Sequence, residues 1–173
     1  MSAKTRGAAI LIGAVFLVGV CTGAVMAAKQ DDIWDMLKKD HDQMKKILKQ
    51  LKNGKDSNQF NALQQMLTTH MKFEEQYLCP ILEKNQATRA LVILAKYEHN
   101  MARKIMESME KAQGDRAQWN AIVNELDQLL TTHIKDEEGK LFREGKRIIT
   151  GDQARRFGAQ YAQIQAQGGQ LQK

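Results

Sequence analysis

From Gly7 to Ala28 the chain carries no charged residue, and beyond Asp31 the apolar positions recur in steps of three and four. The second pattern is that of amphipathic helices. The first such helix puts Trp34, Leu37, His41, Met44, Leu48 and Leu51 on one face. Asp31 or Asp32 can cap its start, and Asn53-Gly54 ends it. A second helix is predicted from about Ser57, with Phe60, Leu63, Leu67, His70, Glu74 and Tyr77 in line, until Pro80 breaks or kinks it. A third runs from about Gln86 to Gln113 through Val92, Ala95, His99, Ala102, Met106 and Met109, and stops at Gly114. A fourth starts near Asp115 and carries Trp119, Ile122, Leu126, Leu129, His133, Glu137 and Leu141. Short connections make neighbours antiparallel. The expected fold is therefore all-α, an up-down-up-down four-helix bundle over residues 31–147.

The uncharged run is long enough to change where the bundle is expected to work. Its 22 residues span about 33 Å as a helix, enough to cross a bilayer core. Lys4 and Arg6 precede it, and Asp31 and Asp32 lie beyond, so the positive end should stay in the cytoplasm. Val25-Met26-Ala27-Ala28 resembles a signal-peptidase site after Ala27. Residues 1–28 are read as a signal peptide or a membrane anchor. The rest of the chain is expected to be exported to a bacterial-type periplasm, soluble if cleaved and held at the inner membrane if not. Valine before Cys21 makes a poor lipobox.

Composition adds mostly exclusions. One proline and 12 glycines among 173 residues leave little turn chemistry for a many-stranded sandwich or barrel. Two cysteines, Cys21 and Cys79, cannot build a disulfide scaffold or a Cys-rich zinc site. Cys79 sits in an apolar slot before Pro80, where small-hydrophobe packing is the default. The net charge of +6 raises the question of nucleic acid. Yet Lys4 and Arg6 belong to the leader, and Lys38, Lys39, Lys45, Lys46, Lys49, Lys52 and Lys55 alternate with apolar helix positions. No aromatic ladder or DNA-binding motif accompanies them. They read as a solvated helix face, with attraction to anionic lipid second, and no nucleic-acid partner is expected. Residues 148–173 form a Gln/Ala/Gly-rich tail, expected to hold a short helix near Ala154 to Ile164 and then fray, without evident chemistry.

All four histidines of the protein fall on the apolar seams, one per helix. His41 lies 11 residues before Lys52, and His70 lies 13 after Ser57. His70 is 12 before Leu82, and His99 is 13 after Gln86. At 1.5 Å per residue these two mismatches are within a few ångströms. His99 to Gln113 is 14 residues against 18 from Asp115 to His133, the one loose match, and the four histidines are expected to converge on one layer. The chain also repeats itself. Asp40-His41-Asp42 and Glu98-His99-Asn100 are each followed by a basic pair and an apolar pair. Leu67-Thr68-Thr69-His70-Met71-Lys72-Phe73-Glu74-Glu75 matches Leu130-Thr131-Thr132-His133-Ile134-Lys135-Asp136-Glu137-Glu138. Two hairpins thus each supply a lone histidine and a His-x-x-x-Glu.

Residues four apart share a helix face, so His70 with Glu74, and His133 with Glu137, can reach one centre. A carboxylate buried in an apolar bundle is costly unless it is paired or bound to metal. One histidine on a seam reads as a hydrogen-bonded core residue. Four at one level with a duplicated His-x-x-x-Glu call for a compensating cation. Four imidazoles and two carboxylates suit a pair of divalent first-row metals with bridging carboxylates.

The stretches Asp40-His41, His70-Met71-Lys72-Phe73-Glu74-Glu75-Gln76-Tyr77-Leu78-Cys79-Pro80, Glu98-His99 and His133-Ile134-Lys135-Asp136-Glu137-Glu138 resemble the hemerythrin-like (HHE cation-binding) family. The resemblance covers about residues 33–145. It implies a four-helix bundle with a non-haem di-iron centre, in a family with roles in oxygen binding, iron or oxygen sensing and nitrosative-stress repair. Carried over residue by residue, it makes His41, His70, Glu74, His99, His133 and Glu137 the metal ligands, with Glu74 and Glu137 as bridges. Oxygen carriers of the family resemble one another in a second histidine four residues after the first on the third helix, where this chain has Arg103. They also share an acid five residues after the last histidine, where this chain has Glu138 with Glu137 available as well; no fifth histidine exists. The pattern resembles the four-His, two-Glu branch.

Three functions follow as expectations. The first is an exported protein with two iron ions that binds or senses dioxygen or a related small ligand such as nitric oxide. The second is a di-iron enzyme of iron oxidation or of nitrosative or oxidative stress repair, and the third a metal-storage or structural bundle. No catalytic acid or base stands apart from the ligands, which favours binding over turnover. A sensor would need a separate signalling or redox partner. Tyr77, three residues after Glu74, reads first as a core aromatic and second as a site-lining residue.

Overall fold

A computed structural model describes residues 31–169, and all of its regular structure is helical. The expected leader, its cleavage point, Cys21 and the last four residues lie outside the described residues. Five helices follow one another. Helix α1 is Ile33–Asn53. Helix α2 covers 57–82, made of Ser57–Phe73, a π-turn at Glu74–Leu78 and a last turn at Cys79–Leu82. Helix α3 is Gln86–Lys111, tightening into a 3₁₀ turn at Ala112–Gly114. Helix α4 covers 116–148, with Arg116–Asp136, a π-turn at Glu137–Leu141 and Phe142–Ile148. Helix α5 is Gly151–Ala166.

Each start has a side-chain cap for the backbone N–H groups that an α-helix leaves unpaired. Asp32, not Asp31, accepts from the Asp35 amide. Asp56, Asn85 and Asp115 do the same for α2, α3 and α4, and Thr150 forms a capping box with Gln153 for α5. Helices α1–α4 form the expected antiparallel bundle, with α1 against α2 and α4, and α3 against α4. Among the described residues no helix is long and apolar enough to cross a membrane.

The expected seams of α1 and α3 are buried throughout. On α4 the stripe is turned slightly. Val123 and Leu130 are buried, whereas Ile122 and Leu129 only flank the core. Pro80 does not end α2. The chain runs through it by widening into the π-turn just before it, which re-routes the carbonyl that the missing N–H cannot serve. Proline is not the sole cause, because α4 makes the same π-turn and has Arg143 at the corresponding place.

Two apolar clusters fill the bundle. One holds Met44, Leu48, Leu63, Leu67, Met106 and Trp119, and the other Ile33, Trp34, Leu37, Phe73, Phe142 and Tyr161. The histidine layer lies between them, so its polar groups sit with hydrocarbon above and below. Helix α5 is longer than the expected Ala154 to Ile164 and packs along α1, while the fraying expected beyond it falls mostly on the last four residues, outside those described. Its Gly158 makes this approach feasible, because a Cβ there would lie 2.5 Å from the Asp31 carbonyl oxygen. Tyr77 packs on Phe73 with tilted rings, 4.8 Å between centroids, within an aromatic group that includes Phe157, so it is an aromatic half-buried against the core. Cys79 is buried, and burial pushes its thiol well above the ordinary range, which suits packing and not reactivity.

Candidate metal centre

Each of the first four helices contributes one histidine, and α2 and α4 add one glutamate each four residues further on. His41, His70, Glu74, His99, His133 and Glu137 are all at most 4% exposed. Their donor atoms meet. Glu74 lies between two rings, with Oε1 at 3.4 Å from His70 Nε2 and Oε2 at 3.3 Å from His99 Nε2. Glu137 does the same for the other two, its Oε2 lying 3.3 Å from His41 Nε2 and 3.4 Å from His133 Nε2. His41 and His70 turn their Nε2 atoms toward each other at 3.2 Å. Two overlapping groups have spacing fit for an ion: Glu74, His99, His133 and Glu137, and His41, His70 and Glu137. Every residue expected at the centre is thus brought into it, and each glutamate lies between histidines of the two repeats.

The opposite edges of the rings are held as systematically. Nδ1 of His41 bonds Glu138 at 3.0 Å, that of His99 bonds Glu75 at 2.9 Å, and that of His133 bonds Glu98 at 2.8 Å. His70 Nδ1 faces Asp40 at 3.4 Å. A carboxylate can only accept, so each Nδ1 carries the proton and each Nε2 is directed to the centre as a prospective donor to metal. The sequence expectation reached the six inner residues and, of these four acids, only Glu138, as an alternative to Glu137 and not as the partner of His41. Their signal was in the repeat itself. Asp40 and Glu98 precede the lone histidines, and Glu75 and Glu138 follow the inner glutamates. The pairing also follows the repeat. His70 and His133 use the acid of their own half, whereas His41 and His99 use that of the other half.

Arg103 does not enter the centre. Its guanidinium forks onto Glu75 at 2.7 and 2.8 Å, and Glu75 in turn holds His99. Lys45, at the same place after His41, reaches Glu138 only at 3.9 Å, with Lys38 at 3.6 Å. A further contribution comes from α5, where the sequence suggested no chemistry. Tyr161 donates its hydroxyl to Asp40 Oδ2, and the Gln165 amide donates to both Asp40 oxygens, at 3.1 and 3.2 Å.

The electrostatics follow from six carboxylates, of which Glu75 and Glu138 are partly exposed, gathered around four buried imidazoles. Burial alone would push His99 down, but Glu74 and Glu75 outweigh it and raise the ring to about 9. His70 is also raised, with Glu74 and Asp40 overcoming its burial. Burial would raise Glu137, but His133 and His41 hold it well below the usual carboxylate range. Glu75 is lowered against its burial by His99 and Arg103. Without metal, then, protons on His70 and His99 offset part of the charge of the acids.

The balance is incomplete in the hydrogen-bonding sense. Glu74 Oε2, His99 Nε2 and Glu137 Oε2 are buried without a hydrogen-bond partner. Orphaned polar atoms in an apolar core are expensive. A cation between them would satisfy all three, and nitrogen with carboxylate donors fits first-row transition metals. The residues therefore fit a metal centre. Beside it lies a cavity of about 10 Å³, lined by apolar groups including Met44, Leu67, Ala102 and Leu130 as well as by the four histidines. That is room for about one water-sized molecule.

No curated protein and no solved structure matches the chain. The family profile of the hemerythrin HHE cation-binding domain matches residues 32–144, which takes in all six inward-facing residues and their four acid partners. With the helical bundle and the buried histidine–glutamate layer described above, this match shows that the chain belongs to the hemerythrin HHE cation-binding family.

Proposed function

We propose that this protein holds two iron ions and binds dioxygen or a similarly small ligand, such as nitric oxide, next to them. One ion would sit between His41 and His70 and the other between His99 and His133, with Glu74 and Glu137 shared. The observation that carries the reading is the disposition of the two glutamates, each placed between imidazoles from opposite repeats. Bound iron would supply the electrons and the open coordination position for the ligand. The chain supplies the rest. It fixes the imidazole tautomers through four carboxylates, excludes bulk water with apolar layers on both sides, and limits the ligand by size.

The cavity supports a diatomic ligand over a larger substrate, since about 10 Å³ admits little more than one water. A second small depression between α3 and α4, bordered by Leu91, Leu94 and Ala95, also touches Glu98, His133 and Glu137, and it is the place where the ligand would enter. The leader supports export, with the bundle working outside the cytoplasm, either free or tethered by residues 1–28. The test is to mix the anaerobic ferrous protein with nitric oxide or dioxygen and follow its optical spectrum. Rapid, saturable change with either gas is expected. A spectrum unchanged by both would rule out the ligand-binding role and leave storage.

A further inference from the structure

Three of the four ring Nδ1 atoms sit 2.8–3.0 Å from their carboxylates, whereas His70 stands 3.4 Å from Asp40. The last distance is beyond the ordinary range for such a bond. The two repeats predict no such difference, because Asp40 and Glu98 occupy equivalent places before the lone histidines. What separates them is α5, which has no counterpart in the repeat and lies past the residues that the family profile matches.

Tyr161 has no accessible surface and donates to the Asp40 oxygen that faces His70. Gln165 donates to both oxygens of the same carboxylate. Among the described residues, His133 is the one side-chain donor on Glu98. Loading a carboxylate with donors does not by itself lengthen the histidine bond. Arg103 occupies both oxygens of Glu75, and His99 still bonds it at 2.9 Å. Arg103 and His99 share one Glu75 oxygen as its two donors. The Asp40 oxygen that faces His70, by contrast, already accepts from two others, the Tyr161 hydroxyl and the Gln165 amide, which fill its two lone-pair directions and leave His70 as a third donor.

We propose that Tyr161 and Gln165 are positioning residues: competing with His70 for Asp40, they make the His41–His70 metal position the more labile of the two. The inference rests on the two-metal reading above. A carboxylate drawing on Nδ1–H strengthens metal donation from Nε2 of the same ring. His70 receives the least of this support, so metal fills the His99–His133 position first. The tail helix is thereby part of the centre, and it sets an inequality that the duplicated sequence alone would not have.

Cobalt(II) is the probe, added to the metal-stripped full chain against a competing chelator, with proton NMR of the shifted ring Nδ1–H signals as the second readout. The unaltered protein should take two equivalents in two steps separated by about tenfold or more. Tyr161→Phe removes only the hydroxyl, and Gln165→Ala is a surface truncation. Each should tighten the second step by about threefold to tenfold while leaving the first within about twofold. One Nδ1–H signal should move toward the other three and exchange more slowly. Equal steps in the unaltered protein, a weakened second step in both variants, or a uniform shift of all four signals would overturn the proposal. Two equal, tight equivalents would do so while sparing the two-metal reading, whereas no cobalt uptake at all would overturn both.

Discussion

Stripped of metal, the protein should lose stability between neutral and alkaline pH, and metal should reverse that slope. In the folded metal-free chain the acids around His99 raise it to about 9, against an ordinary value of 6.5. The folded state therefore holds a proton that the unfolded chain releases earlier. The resulting stabilisation is fully present below about pH 6.5 and is lost as pH rises through about 9. A difference of roughly 2.5 units corresponds to about 3 kcal/mol. The ring and Glu74 are buried, whereas Glu75 is 29% exposed, so solvent screens only that part of the effect. For a domain of this size the loss should lower the midpoint of thermal unfolding by about 6–12 °C. His70, also raised, acts in the same direction. Glu137 is lowered, so its contribution disappears only on acidification and is constant across this window. With metal bound the imidazoles must be deprotonated, and stability should instead grow with pH. The assay is thermal melting of chelator-treated and metal-loaded protein at pH 6, 7.5 and 9. A metal-free midpoint that is flat or rising from pH 6 to 9 would show that the folded chain holds no extra proton on His99.

Other outcomes follow from the same geometry. Glu74→Ala or Glu137→Ala should remove at least one of two bound metal ions, whereas Glu75→Ala, which strips only the partner of His99, should keep the count and weaken affinity by about 10–100-fold; metal analysis with chelator competition distinguishes them. Ala102→Leu should fill the small cavity and block nitric oxide binding while leaving the metal count unchanged, which absorbance titration checks. Gly158→Ala should force α5 off the Asp31 carbonyl at a cost of about 1–3 kcal/mol in chemical denaturation. Air oxidation of the ferrous protein should not be reversed under vacuum, because each metal position has only two imidazoles among hard oxygen donors; recovery of the starting spectrum would restore a carrier role.

The sequence made the bundle and its inner six residues legible because two periodicities coincide there. Helical spacing put one histidine on each seam, and the repeat Leu67–Glu75 against Leu130–Glu138 showed that the arrangement was doubled. The π-turns were not legible, since Pro80 marks only one of them and nothing in Glu137–Leu141 announces the other. Arg103 could be seen to replace a histidine, but not to act through Glu75, because that contact crosses from α3 to α2. Helix α5 was hardest to read. Its glutamines look like solvent-facing tail, and Tyr161 meets Asp40 across 121 residues of chain. The available clue was local: Ala154, Phe157, Tyr161 and Ile164 recur in steps of three and four, and such a stripe needs a surface to cover.

If the two shared glutamates hold a pair of iron ions, the iron content of the chain must show it. Protein reconstituted anaerobically with ferrous iron, freed of excess and analysed for metal against protein concentration, should contain two irons per chain. A ratio of one or zero would contradict the account.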